Sequence, residues 1–228
     1  MKQKIPGYLV HAFTALGAAF GLWALFATAG GQFQLALWLL AATAVIDSVD
    51  GALARKAQVK TRIPEFDGAL LDNIIDYLTW TIVPLFWAWQ VLSVPTFVVI
   101  ICGMASVIGF SRTDAKTEDH FFKGFPNYWN LVVIHMYSLH FSPTGASVVL
   151  LICVLFVFIP IVWIYPSRTL HFRKTMIILG AVYGVQMLAI IILFPFIPLW
   201  LAWSALIYPV IYFSGSLYLN FNRRANGH

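Results

Sequence analysis

All 14 Lys and Arg residues of this 228-residue chain fall at alternate ends of its apolar runs. Lys2 and Lys4 precede the first run, and Arg55, Lys56, Lys60 and Arg62 lie around the turn between the second and third. Arg112, Lys116 and Lys123 separate the fourth from the fifth, Arg168, Arg173 and Lys174 the sixth from the seventh, and Arg223 and Arg224 follow the eighth. The intervening turns near 30, 93, 142 and 196 carry none. A backbone that crosses a bilayer must satisfy its own hydrogen bonds, so apolar runs of about 20 residues read as spanning helices. The runs lie at roughly 8–29, 33–55, 68–92, 94–111, 128–141, 144–166, 174–194 and 196–220, the fifth being the shortest. Gly30, Gly31, Pro95, Pro143, Pro166, Pro195 and Pro198 punctuate them. The expected fold is an all-α polytopic membrane helical bundle of about eight transmembrane helices, formed by residues 1–228 as a single domain. Basic residues favour the cytoplasmic face, which predicts that both termini are cytoplasmic.

Composition excludes an ordinary soluble domain. Only 10% of the residues are charged and 61% are hydrophobic, where soluble chains carry about 25% charged residues. The net charge of +5 does not point to nucleic acid, because the basic residues form no exposed basic domain. They read instead as topology signals and lipid-headgroup contacts. The run from Leu9 to Phe26 is longer than a signal-peptide core and is expected to remain as the first helix. Cys102 and Cys153 sit inside apolar runs and are expected to pack rather than to pair or bind metal.

One stretch breaks the apolar pattern. Between Asp47 and Asp76 lie six of the nine acidic residues. On a helix, Asp47, Asp50, Gly51 and Ala54 share one face, and Gly68, Asp72 and Asp76 share a face of the next. An isolated charge in a membrane helix is costly, and clustered carboxylates raise one another's pKa. Divalent cations relieve both problems, and hard oxygen donors favour Mg²⁺ or Mn²⁺. Two such faces, lined by small residues and joined by a basic loop, suit the holding of metal ions against a phosphorylated ligand. The competing reading is a set of helix-end carboxylates paired with Arg55, Lys56 and Lys60.

The pattern D-x2-DG-x2-AR followed by G-x3-D-x3-D resembles the signature of the CDP-alcohol phosphotransferases, integral membrane enzymes of phospholipid synthesis. Most of that family has about eight residues between the Arg and the second Gly, whereas twelve separate Arg55 from Gly68 here. The longer gap, and the segment DAKTEDHFFKGFPNYWN from Asp114 to Asn130, resemble the bacterial branch that uses choline. The resemblance implies that the phosphatidyl group of CDP-diacylglycerol passes to choline, giving phosphatidylcholine and CMP. It implies a two-metal site of Mn²⁺ or Mg²⁺ held by Asp47, Asp50, Asp72 and Asp76, with Asp76 also the general base. Gly51, Ala54 and Gly68 would let the nucleotide approach the helix backbones, and Arg55 would bind phosphate or anchor the helix end. His11 and Thr14 lie where the family often places polar residues near the nucleotide. The location implied is the bacterial inner membrane, with the site facing the cytosol.

The acceptor is read from chemistry as well. A quaternary ammonium has no N–H to donate and is held by aromatic faces. Tyr128 and Trp129 are the candidates for that role, with Glu118 or Asp119 adding negative charge. Against this stands the usual interfacial enrichment of Trp and Tyr. Serine, glycerol phosphate and inositol phosphate are the alternative acceptors, and Arg112, Lys116 and Lys123 would serve a phosphorylated one. A cation transporter would also use buried carboxylates, but it predicts polar residues deeper in several runs and charge at the far side, where there is none. Nothing in the sequence selects between a monomer and a homodimer.

Overall fold

The apolar runs become helices. The computed structural model describes residues 4–115, 117, 121–166, 169 and 172–225. Among these, five helices are long and apolar enough to cross a membrane: Ile5–Ala29, Phe33–Lys56, Gly68–Val91, Arg173–Leu193 and Leu199–Phe221. The protein is a polytopic, helical integral membrane protein. By its internal contacts the chain forms two units, Met1–Val91 and Leu92–His228.

The first unit holds α1 (Ile5–Ala29), α2 (Phe33–Lys56), α3 (Val59–Arg62), α4 (Gly68–Asp76), a π-helical stretch (Tyr77–Ile82) and α5 (Val83–Val91). Helix α1 starts with Pro in its first turn, where no backbone donor is lost. It ends at Gly30 and Gly31, the latter at φ +74°, a conformation glycine adopts without strain. Small residues of α1 let α4 and the π-helical stretch come close. A Cβ on Gly17 would lie 2.8 Å from Ile75 Cγ2, and one on Gly21 would lie 2.9 Å from Leu78 Cδ2 and Thr79 Cγ2. This is the small-x3-small packing of membrane helices. After α2, Gln58 takes a left-handed conformation (φ 52°) and turns the chain into α3. Helix α4 is capped by Asp67, whose Oδ1 accepts from the amides of Ala69 and Leu70 at 3.0 Å each. The π-helical stretch begins directly after Asp76, so the expected regular helix over 68–92 is regular only as far as the acidic face.

The second unit holds α6 (Thr96–Phe110), β1 (Phe121–Lys123), α7 (Trp129–Ser138), α8 (Pro143–Phe158), β2 (Val162–Ile164), α9 (Arg173–Leu193), α10 (Leu199–Ala205) and α11 (Ile207–Ala225). Helices α6, α7 and α8 have 15, 10 and 16 residues. At 1.5 Å per residue each is shorter than the roughly 30 Å hydrocarbon layer. The run expected to be helical over 144–166 stops at Phe158, because Pro160 supplies no amide and disfavours the helical conformation at Ile159, found at ψ 127°. Beyond Pro160 the chain is extended. Strand β2 pairs antiparallel with β1, Phe121 opposite Ile164 and Lys123 opposite Val162. The backbone of β2 is also paired to α11. The Val162 amide donates to Asn220 Oδ1 at 2.9 Å, Asn220 Nδ2 donates to the Val162 carbonyl at 2.6 Å, and the Ile164 amide donates to Ser216 Oγ at 3.1 Å. An edge strand in this setting needs such partners. Phe121, Ile164, Met176 and Leu219 pack beneath it as a core.

Candidate active site

The acidic face of α2 meets that of α4. Asp47 and Asp50 come from the last turns of α2 and Asp72 from the middle of α4, and one carboxylate oxygen from each lies within 4.8 Å of the others. Asp50 is buried, and Asp47 and Asp72 are half-buried. At an effective dielectric of about 20, two carboxylate charges about 5 Å apart repel by roughly 3 kcal/mol. A cation between them would relieve that repulsion, and convergent hard oxygen donors fit a divalent one. Asp76 lies outside this triad but lines, with all three and with Thr14, the same small void of about 10 Å³. That is about the space one water or ion needs.

Thr14 of α1 reaches this cluster directly. Its hydroxyl donates to Asp50 Oδ2 at 2.9 Å and also lies 3.3 Å from the Val10 carbonyl. Thr14 is thus a positioning group for a carboxylate.

A cavity of about 890 Å³ opens beside the triad, and Thr14, Asp50 and Asp72 line both it and the small void. Gly51, Ala54, Arg55, Gly68 and His11, all expected at the nucleotide, line it too. The two glycines differ in what they do. A Cβ on Gly51 would meet only Arg55 Nη1, at 3.5 Å, so this backbone is open to the cavity. A Cβ on Gly68 would lie 2.9 Å from His11 Cε1, so Gly68 makes the seat for the His11 ring. His11 is buried, its Nε2 has no hydrogen-bond partner among the described residues, and its ring tilts against Phe66 at 4.1 Å between centroids.

Apart from Val10 and Ala69, the rest of the cavity wall comes from the residues between Arg55 and Gly68, including Lys60, Phe66 and Asp67. From the sequence, Lys60 read only as a loop cation or carboxylate partner, and Phe66 and Asp67 carried no role. An Asp before a Gly at the start of an apolar periodic run is a capping signal that would have found Asp67. Phe66 has no such signal. An ion pair at 2.6 Å, Lys4 Nζ to Glu65 Oε1, ties this segment to the start of α1. It holds the Glu65 carboxyl below its ordinary range and raises Lys4.

The residues expected at the acceptor lie in the second unit. Tyr128 is half-buried, with Phe122 edge-on at 6.5 Å and Tyr212 at 6.3 Å. Trp129 is wholly buried; its Nε1 donates to Ser106 Oγ at 2.7 Å and Phe125 packs edge-on at 4.9 Å. Glu118 and Asp119, and with them Lys116, lie outside the described residues. Arg112 and Lys123 both bind Asp114, at 2.8 and 2.7 Å. These two cations hold the Asp114 carboxyl well below the usual range.

Comparison with known proteins points the same way. A model of the family described as CDP-alcohol phosphatidyltransferase matches residues 5–211. The phosphatidylcholine synthase of Legionella pneumophila subsp. pneumophila is 38% identical over 211 residues, covering 86% of this chain and 81% of that protein. The phosphatidylcholine synthase of Borreliella burgdorferi is 42% identical over 75% of this chain and 74% of its own length. That of Rhizobium meliloti is 33% identical over 75% and 72%.

Proposed function

This chain belongs to the CDP-alcohol phosphatidyltransferase family, and we propose that it transfers the phosphatidyl group of CDP-diacylglycerol to choline, releasing CMP. The observation that carries the reading is the convergence of Asp47, Asp50 and Asp72 beside a nucleotide-sized cavity whose wall includes Asp50 and Asp72. The activity for which its relatives are named supplies the acceptor.

Asp47, Asp50, Asp72 and Asp76 would together hold two Mg²⁺ or Mn²⁺ ions. Bound there, such cations would supply positive charge against the pyrophosphate and the charge that develops on departing CMP. Thr14 fixes Asp50 through its hydroxyl. Gly51 and Ala54 leave the α2 backbone open to the nucleotide, Arg55 meets phosphate, and Gly68 and His11 shape the wall opposite. The choline oxygen attacks the lipid-linked phosphorus, the bond from that phosphorus to CMP breaks, and Asp76 takes the hydroxyl proton.

For the acceptor, half-buried Tyr128 is our candidate for an aromatic face, Trp129 is wholly buried and would support the segment from within, and Glu118 or Asp119 would supply negative charge. Arg112 and Lys123 share Asp114 as an ion-pair partner, so neither stands free to receive a phosphorylated acceptor. The alternation of basic loops supports eight crossings, with α6, α7 and α8 as short ones and both termini in the cytoplasm. The site then faces the cytosol from a bacterial inner membrane. The match over 5–211 runs through both contact units, which supports reading 1–228 as one family domain. Purified protein offered labelled choline, serine and glycerol phosphate in turn tests the assignment. Choline alone should give labelled lipid and equimolar CMP from CDP-diacylglycerol; a serine or glycerol phosphate product would overturn it.

A further inference from the structure

The twelve residues between Arg55 and Gly68 are held in place over the cavity. Ile63 is wholly buried and fills the space beside Gly7, where a Cβ would come 2.5 Å from Ile63 Cδ1. Glu65 is tied to Lys4 at 2.6 Å, and Asp67 is fixed as the cap of α4. Phe66 stands between these anchors. The residue is 41% exposed although it lines the cavity and rests on His11. A large apolar ring between two acidic residues, outside the membrane-length helices, with a supporting ring behind it, is a surface left for a flat partner.

The cavity offers unlike chemistries. Asp50, Asp72, Arg55 and Lys60 suit a metal-bound pyrophosphate, whereas Phe66 and His11 suit a π-face. A nucleoside diphosphate has both ends. Choline's ammonium has no donor or lone pair and its one hydroxyl is the reacting group, whereas a cytosine ring carries both donor and acceptors; His11 Nε2 has no partner among the described residues. We infer that Phe66, backed by His11, is the stacking wall for the cytosine of CDP-diacylglycerol, so that the segment 58–67 is part of the donor site. The inference rests on CDP-diacylglycerol being the donor.

The test compares wild type with Phe66→Leu and Phe66→Tyr. It measures inhibition constants for CMP and for inorganic pyrophosphate, and KM for CDP-diacylglycerol and for choline. Loss of one base–aromatic stack weakens binding about five- to hundredfold. Phe66→Leu should raise the CMP constant and the CDP-diacylglycerol KM within that range, and leave pyrophosphate and choline within about twofold. Phe66→Tyr, which keeps the ring, should restore both. Unchanged CMP inhibition in Phe66→Leu would overturn the inference and leave the reaction standing, with Phe66 only an interfacial anchor. Equal weakening of CMP and pyrophosphate would also overturn it, since Phe66 would then merely hold the segment. A change confined to the choline KM would place the acceptor there and overturn it as well. Wild-type protein that neither binds CMP nor consumes CDP-diacylglycerol would overturn the donor assignment itself.

Discussion

Thr14 of α1 donates its hydroxyl to Asp50 Oδ2 of α2 at 2.9 Å, within the protein interior. A hydrogen bond to a charged group contributes about 1.5–3 kcal/mol. Thr14→Val keeps the shape and removes the donor, so turnover should fall about ten- to hundredfold. Apparent metal affinity should fall with it. Thr14→Ser should recover most of the loss, and steady-state kinetics with metal titration checks both.

Two glycines should respond in opposite ways. Gly17→Ala places a methyl 2.8 Å from Ile75 Cγ2, and overpacking of this kind costs about 1–3 kcal/mol. A lowered melting temperature in detergent is expected. Gly51→Ala meets only Arg55 Nη1 at 3.5 Å and should melt normally. Gly51→Leu should also fold but raise KM for CDP-diacylglycerol, because its bulk enters the nucleotide space.

The helices were legible because their apolar lengths and charged ends are set by the bilayer. The two acidic faces were legible because steps of three and four residues are the helix period. Their convergence depends on how α1, α2 and α4 cross, which periodicity does not encode, and so the Thr14–Asp50 bond has no trace in the spacing. Gly17 and Gly21 are the one sequence sign of that close crossing. Pro160 was a readable stop inside the run 144–166, and beyond it the chain forms β2 instead of helix. Phe66 was the hardest to foresee, since it acts through a loop fixed by Ile63 and Glu65.

The Asp114 cluster should show a defined pH dependence. Arg112 and Lys123 depress the folded-state carboxyl below an ordinary value near 3.9. Its stabilising contribution is then complete above about pH 4 and is lost as pH falls through the lower folded value. The melting-temperature difference between wild type and Asp114→Asn should be constant from pH 5 to 8 and shrink below about pH 4.

Aromatic substitutions should separate binding from packing. Tyr128→Leu should raise KM for choline about two- to thirtyfold, the contribution of one well-placed aromatic face. Trp129→Leu removes a buried indole and leaves Ser106 without its donor, so lost stability should dominate its effect. Trp163, inside the run 144–166 expected to be helical, lies buried on β2 and stacks on Tyr212 at 6.1 Å, so its replacement would disturb packing. Trp200, 70% exposed, serves as the control and should leave both KM values unchanged when replaced by Leu.

The central claim is that the carboxylates of α2 and α4 hold the divalent metal that phosphatidyl transfer needs. Mn²⁺ binding and choline transfer, measured on the same samples of wild type, Asp50→Asn and Asp76→Asn after removal of bound metal, test it most directly. Wild type should bind Mn²⁺ and be inactive until it is restored. Asp50→Asn should lose binding and turnover together, and Asp76→Asn should keep Mn²⁺ on the Asp47, Asp50 and Asp72 triad but lose turnover by at least about 10². Full turnover in metal-free wild type, or Mn²⁺ binding unaltered by Asp50→Asn, would contradict the account.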